Sequence, residues 1–331
     1  MIGFLCRRLG SMAIVLLVLI AAIFALQQMS PVNPVRIKVG QSAPQHVVEA
    51  EEERLGYNDP VVQRYFNYVG DALDGNLQTS LHTGQPVATD IGNFLPASIE
   101  LVLAAMVIAV PLSILFGISS ALRTRGSGVL RSSLFVLAAA PPFLLGIAGI
   151  LIFYRNLHWL PASGRTSIIG APSGPTGLLV IDGLLNGEPN VTLNSIEHLI
   201  MPAFALALVP AVAVGRVLRG SLIANLRAEH VRAAKARGLP RWKLVVRHCL
   251  RNSAGPTLAM SGLMFGIVFA GLTLVETVFA WPGIGLYVAQ SIPKGDFPAI
   301  AGVTLLLGAA YVIINTGVDI LQGIADPRVR G

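Results

Sequence analysis

Residues 216–256 read RVLRGSLIANLRAEHVRAAKARGLPRWKLVVRHCLRNSAGP, and they lie between two apolar segments that are each long enough to cross a bilayer. Ten residues of this stretch are Lys or Arg, whereas Glu229 is its only carboxylate. Loops rich in Lys and Arg are retained on the cytoplasmic side during membrane insertion. The stretch is therefore predicted to face the cell interior, and this fixes the orientation of the whole chain.

Within this stretch, residues 222–237 have the composition of a helix, with several Ala and neither Gly nor Pro after its start. Gly238 and Pro240 are predicted to end the helix, because Gly favours a left-handed cap and Pro cannot continue the hydrogen-bond ladder. A second helix is predicted from Arg241 to about Ser253. We call this bent pair, residues 222–253, the elbow. Its small Ala side chains would let another protein approach the backbone, with cations around the contact.

The segment HVRAAKARGLPRWKLVVRHCLRNSAGP, residues 230–256, resembles the EAA loop of the membrane subunits of binding-protein-dependent ABC importers. In that family the loop is the coupling helix that docks into a groove of the ATPase subunit. One departure is that Arg232 stands where the pattern has Glu, as is common in the peptide-importer branch. The resemblance implies that the residues coupling this chain to an ATPase are Arg232, Ala233, Ala234, Arg237, Gly238 and Leu239.

An alternative for the same loop is a basic segment that binds anionic lipid. Lipid attraction requires positive charge but not the Ala-Ala-x-x-x-Gly spacing of Ala233, Ala234 and Gly238. The spacing therefore favours docking to a protein.

Composition indicates an integral membrane protein. Of 331 residues, 53% are hydrophobic and 12% are charged, and the mean hydropathy is +0.68, whereas soluble domains contain about 25% charged residues. The net charge of +7 could indicate a nucleic-acid partner. Its distribution argues against one, because the cations cluster beside apolar segments and no stacking aromatic residues accompany them.

Six membrane spans are predicted from apolar segments of sufficient length. The first follows the basic pair Arg7 and Arg8, and an uncleaved span is favoured over a signal peptide because no clear cleavage site follows it. Prolines are predicted to bend several spans. The fold class is therefore an all-α membrane protein with both termini in the cytoplasm, and the spans lie at residues 11–29, 94–123, 132–153, 196–218, 257–279 and 300–320.

The segment between the first two spans, residues 30–93, is acidic and is predicted to lie outside the cell. A helix is predicted at residues 45–55, and a second helix ending in a turn follows. The segment resembles the external part of dipeptide and oligopeptide permeases at Asp59, Pro60, Gly75, Leu77 and Ser80. It is predicted to contact a delivery protein or a companion subunit, with a solvated connector as the alternative. The predicted domains are thus residues 1–29, 30–93 and 94–331, the last including the coupling loop 216–256.

Residues 276–302, ETVFAWPGIGLYVAQSIPKGDFPAIAG, follow the fifth span. The Pro-Gly break predicts a half-helix at the outer interface, with Trp281 and Tyr287 as interfacial anchors. Glu276 is an ionisable residue within membrane depth, and it would either contact substrate or accept hydrogen bonds from the 281–285 turn. The stretch resembles the peptide and nickel branch of the same permeases, which makes structural or pathway candidates of Glu276, Trp281, Pro282, Gly283, Gly285 and Asp296.

Motifs of catalysis are absent from the sequence. Without G-x-x-x-x-G-K-[ST] the chain is not expected to bind nucleotide phosphates, and without HExxH or CxxC no metal site is expected. The chain is therefore predicted to be neither an enzyme nor a cofactor protein. Cys6 and Cys249 both fall on the predicted cytoplasmic side, which argues against a disulfide.

The resemblance implies a translocation subunit of an ATP-driven importer for di- or oligopeptides in the bacterial inner membrane. It also implies its partners: a companion permease subunit in a heterodimer, two ATPase subunits that hold ATP and Mg, and an external substrate-binding protein. One alternative is an ATP-independent secondary transporter or channel, although the central parts of the spans contain almost no charged residues of the kind used for ion coupling. The other is a membrane-anchored interaction protein that acts through residues 30–93.

Overall fold

The computed structural model describes residues 2–29, 34–40, 43–54, 56, 59–170 and 174–325. Within these ranges the regular elements are helices, and the only β-pairing is an isolated bridge between Thr79 and Pro86. The predicted all-α class is confirmed. The helices are α1 (Ile2–Met29), α2 (Pro34–Val39), α3 (Gln45–Arg54), α4 (Val61–Leu73), α5 (Val87–Leu122), α6 (Ser127–Ala139), α7 (Pro142–Gly149), α8 (Leu179–Leu185), α9 (Pro189–Leu226), α10 (Glu229–Ala236), α11 (Arg241–Lys243), α12 (Leu250–Val278), α13 (Ile284–Ser291) and α14 (Phe297–Ala325).

Five of the described helices are long and apolar enough to cross a membrane: residues Gly10–Gln28 of α1, then α5, α9, α12 and residues Phe297–Ile324 of α14. The third predicted span is not one straight helix. It consists of α6 and of α7 extended by a π-helical turn, and the two arms are bent by 104°. Ala140 and Pro141 each precede a proline and are extended, with ψ of 140° and 145°, because a following proline disfavours the helical conformation.

The chain divides into two compact units. The first contains Met1–Phe94 and Tyr287–Ala310, and the second contains Leu95–Leu286 and Tyr311–Gly331. The predicted division at residues 29 and 93 remains a prediction. In the first unit, α4 packs against α1. In the second unit, α6, α7, α8 and α12 pack against α9, which is the most deeply buried span, with 83% of its apolar window inside the protein.

Helix α9 packs closely against its neighbouring helices where its own residues are small. A Cβ atom on Gly215 would lie 2.3 Å from a ring carbon of Phe116 of α5, so this crossing needs glycine. Pro202 and Pro210 lie within α9 and do not end it. Helix α9 is thus tightly packed within the second unit, and it carries the elbow at its carboxyl end.

Candidate functional site

The elbow begins with a break that the sequence does not predict. Helix α9 ends at Leu226, and α10 starts at Glu229, so the single helix predicted over residues 222–237 is wrong. Ala228 between them is extended, with ψ of 147°. The break redirects the chain so that Val231 of α10 packs into an apolar cluster with Leu222 of α9.

The bend of the elbow lies where it is predicted. Gly238 follows α10 with φ of +80°, a conformation that favours glycine, and α11 begins at Arg241 directly after Pro240. The second arm does not end near Ser253. It passes through a π-helical turn, Leu244–Cys249, into α12 and continues to Val278, with Pro256 inside the helix. The second arm of the elbow is therefore continuous with a membrane span.

The two sides of the elbow differ in burial. Its inner side forms one apolar cluster with α9, each member at most 3% exposed: Leu218, Leu222, Val231, Leu244, Val245 and Cys249. Burial raises the pKa of the Cys249 thiol, which is free, while the side chain of Cys6 lies outside the described part of the chain. Ala234 is half-buried against this cluster. The remaining predicted coupling residues are exposed, namely Arg232, Ala233, Arg237, Gly238 and Leu239.

At the opposite end of α12, Glu276 is fully buried, and each of its carboxylate oxygens accepts a hydrogen bond. One carboxylate oxygen accepts from the Ser98 hydroxyl at 2.6 Å, and the other from the Leu286 amide at 3.0 Å. The 281–285 turn thus lies against the Glu276 carboxylate. Both oxygens of this carboxylate accept hydrogen bonds from groups of the same chain.

Trp281 and Ser98 hold the same turn to α5. The Trp281 indole donates to the Ala97 carbonyl at 2.8 Å, and the Ile284 amide donates to the Ser98 hydroxyl at 2.8 Å. The predicted role of Trp281 as an interfacial anchor is wrong, because its side chain is 0% exposed and its polar atom is bonded inside the protein. Tyr287 is 1% exposed, so the same correction applies to it.

Two glycines allow this close packing. A Cβ atom on Gly283 would lie 2.2 Å from Glu276 Oε1, and one on Gly285 would lie 2.6 Å from the Thr273 Cα atom. Pro282, between Trp281 and Gly283, is exposed. Glycine is therefore required by space at positions 283 and 285.

Asp296 is the centre of a separate network in the first unit. It is fully buried, and its Oδ2 accepts from the Ser80 hydroxyl at 2.5 Å and from the His82 amide at 3.0 Å. Asp90 follows Ser80 and His82 in the sequence, and its Oδ2 accepts a hydrogen bond from the Tyr287 hydroxyl at 2.9 Å. Burial raises the pKa of Tyr287. Ser80 and Asp296, which the sequence singles out in different segments, are thus direct partners.

An ion pair beside Trp281 is missing from the sequence-based prediction. Arg165 lies 2.5 Å from the Glu100 carboxylate, and its guanidinium is 5.8 Å from the Trp281 ring centroid. The other Glu100 oxygen accepts from the Val180 amide at 2.8 Å. The sequence contains one indication of this ion pair. Glu100 lies in a predicted span, and an ionisable residue within a span requires a partner.

The described residues contain no group of three or more His, Cys, Asp or Glu side chains arranged to hold a metal ion. The networks around Glu276 and Asp296 are closed by donors of the chain itself. The chemistry that this arrangement supports is structural hydrogen bonding at one end of α12 and an exposed, cationic surface at the other.

Comparison with known proteins identifies similar sequences along the whole chain. Residues 109–331 match the family described as binding-protein-dependent transport system inner membrane component. Residues 1–114 match the N-terminal family of such membrane components.

Individual relatives are similar over nearly their full length. The di/tripeptide transport system permease protein DppB of Pseudomonas aeruginosa is 37% identical, covering 100% of this chain and 99% of the relative. The probable D,D-dipeptide transport system permease protein DdpB of Escherichia coli is 37% identical, covering 92% and 91%. The dipeptide transport system permease protein DppB of Alkalihalophilus pseudofirmus is 34% identical, covering 100% of both chains.

Proposed function

The chain belongs to the family of inner membrane components of binding-protein-dependent transport systems, and from that premise we propose that it forms half of the translocation path of an ATP-driven peptide importer. As a permease subunit it is not itself an enzyme, and a substrate-binding protein and an ATPase are its partners. Peptide is proposed as the substrate because the relatives are named as dipeptide or di/tripeptide permeases.

The assembly proposed here has four further features. A companion permease forms a heterodimer with this chain, and two ATPase subunits hold ATP and Mg. Both termini lie in the cytoplasm, since the loop that carries the elbow is strongly cationic. Residues 30–93 lie outside as a separate segment and contact the delivery protein or the companion, while residues 94–331 form the permease core.

The single observation that carries the coupling role is the division of the elbow into a buried and an exposed side. The apolar cluster fixes α10 and the start of the second arm to α9, so a displacement of the elbow is transmitted to α9 and α12. Closely packed elements move as rigid bodies because a packed interior deforms little. An ATPase that grips Ala233 and Gly238 from the exposed side would therefore rock these spans and open the path alternately to each side.

Glu276 is assigned a supporting role in this mechanism. Its carboxylate oxygens accept hydrogen bonds from Ser98 and Leu286, and its side chain has no exposed surface. A group with that environment holds the outer turn in place and has no exposed surface with which to contact a peptide.

The coupling role is tested by Gly238→Asp, measured together with a matched control, Gly126→Asp. Both glycines have positive φ, +80° and +83°, and a Cβ atom on either meets nothing within 4 Å, so the two variants carry the same backbone strain. We expect Gly238→Asp to reach the membrane normally but to lose ATPase co-purification and peptide uptake, while Gly126→Asp retains both. Normal uptake by Gly238→Asp would contradict docking at the elbow.

A further inference from the structure

Helix α4 has one apolar and one polar side. At 100° per residue, its apolar side chains occupy a single sector of the helix. The polar sector contains Gln63, Arg64, Asn67 and Asp71, and the apolar sector contains Val61, Val62, Tyr65, Phe66, Tyr68, Val69, Ala72 and Leu73. No residue of α4 is fully buried, so much of the apolar sector is not covered by this chain.

One part of the apolar sector is attached to the first membrane span. The ring of Phe24 lies 5.5 Å from the ring of Tyr65 and 5.9 Å from that of Tyr68. The span runs from Gly10 to Gln28. With a rise of 1.5 Å per residue, Phe24 lies about 6 Å before the end of the span. These contacts hold α4 at the depth where hydrocarbon gives way to lipid headgroups.

The other part of the apolar sector is uncovered. Val62, Phe66 and Leu73 lie on one side of α4 and are 67%, 65% and 77% exposed. Leu26, in the same turn of α1 as Phe24 and Gln27, is 62% exposed, as expected for a side chain that faces lipid. Exposure of such side chains to water costs about 1.5–3 kcal/mol each. The described part of the chain supplies no cover for them, but the membrane lies at the same level.

We propose that α4 is an interfacial helix whose Val62, Phe66 and Leu73 side chains enter the headgroup region of the lipid leaflet at the carboxyl end of the first span. Helices of this kind bury an apolar face about 5–10 Å into that region while their polar face remains in water. Tyr65 and Tyr68 suit the same depth, because Tyr is enriched at membrane interfaces. Lipid is the occupant, since the helix is anchored by residues inside the apolar part of a span.

The contact between α4 and lipid goes beyond the proposed function, and only the placement of α4 outside the cell rests on that function. It assigns the external segment a second contact besides any delivery protein: α4 would hold that segment flat on the membrane next to α1. Gln63, Asn67 and Asp71 would then point away from the bilayer and remain accessible.

The test places single spin-labelled cysteines on the assembled complex in lipid nanodiscs, in a background with Cys6→Ala and Cys249→Ala. Phe66→Cys reports on the apolar side, and Asn67→Cys, one residue further, is the matched control on the polar side. Leu73→Cys provides a second report on the apolar side should Phe66→Cys fail to assemble. Relaxation by molecular oxygen measures access from lipid, and relaxation by a water-soluble nickel chelate measures access from water.

Without delivery protein, we expect oxygen to dominate at positions 66 and 73 and the nickel chelate to dominate at position 67. Dominance of the nickel chelate at both apolar positions would overturn the proposal. So would protection of those positions that arises only when purified delivery protein is added, since the occupant would then be a protein. Uptake comparable to that of the cysteine-free parent shows that the labelled chains are folded.

Discussion

The two ends of α12 differ in how they use their polar and apolar groups. At the Val278 end, the Glu276 carboxylate is buried and its hydrogen bonds are made within the chain. At the Leu250 end, the apolar groups are buried and the polar elbow residues are exposed. The first arrangement holds this chain together, and the second leaves an exposed surface on which we propose that another chain docks. The following four substitutions test that contrast, in order of decreasing effect on stability.

Glu276→Ala is expected to have the largest effect. It leaves the Ser98 hydroxyl and the Leu286 amide without this acceptor inside the protein, which should destabilise the fold by roughly 2–6 kcal/mol. Thermal unfolding of the purified complex and its yield from membranes measure this. The exposed Glu197 provides the control, Glu197→Ala, which should be near parental. If Glu276→Ala were fully stable yet lost uptake, the carboxylate would be a substrate contact instead.

Leu244→Ala tests the inner side of the elbow. Leu244 is 1% exposed in the cluster that joins the elbow to α9, and truncation of a buried leucine costs about 2–5 kcal/mol. Val246, two residues away, is 56% exposed, so Val246→Ala is a matched control with little expected effect. Both variants are compared by thermal unfolding and by protease sensitivity of the loop. Equal behaviour would show that the cluster does not fix the elbow.

Trp281→Phe removes one hydrogen bond from the outer turn. The indole that donates to the Ala97 carbonyl is lost while most of the apolar volume remains, so we expect a loss of about 1–2 kcal/mol. Trp242 on the elbow is 63% exposed, and Trp242→Phe should leave unfolding unchanged. If Trp242→Phe lowered the stability of the detergent-solubilised complex more than Trp281→Phe, the elbow and not the outer turn would be the end that stabilises this chain.

Ala233→Gln should have the smallest effect on stability, within about 0.5 kcal/mol, because the side chain is exposed. It should nevertheless reduce ATPase co-purification, since the larger residue keeps a partner away from the backbone. Its neighbour Ala234 packs against the apolar cluster, so Ala234→Gln should reduce both stability and co-purification. Undiminished ATPase binding by Ala233→Gln would exclude this face as the docking surface.

The features that the sequence predicts well depend on local signals. Apolar length locates the spans, and Gly238 followed by Pro240 locates the bend, since both residues restrict the backbone directly. The consecutive Pro141 and Pro142 mark the position of a bend in the third span. Its angle of 104° is not a local property, because it depends on how the two arms pack.

The features that the sequence does not predict depend on contacts between distant segments. Nothing in residues 222–237 disfavours a helix, and the break at Ala228 is explained only by the burial of Val231 in the cluster with α9. Ser98 is 178 residues from Glu276, and Ala97 is 184 residues from Trp281. No sequence pattern indicates which distant residue a hydroxyl or a carbonyl in an apolar span will bind. For that reason the sequence predicts Trp281 to be an interfacial anchor, and only the fold shows its hydrogen bond to Ala97.

The hydrogen bond between Ser80 and Asp296 joins positions 216 residues apart. In a chimera that combines the first third of one permease with the remainder of another, a serine at the first position and an aspartate at the second would come from different parents. If Asp296 were combined with a segment that lacks Ser80, its buried carboxylate would lose one hydrogen-bond donor. An exchange of segments between this chain and a relative that lacks either side chain would therefore have to move these two positions together.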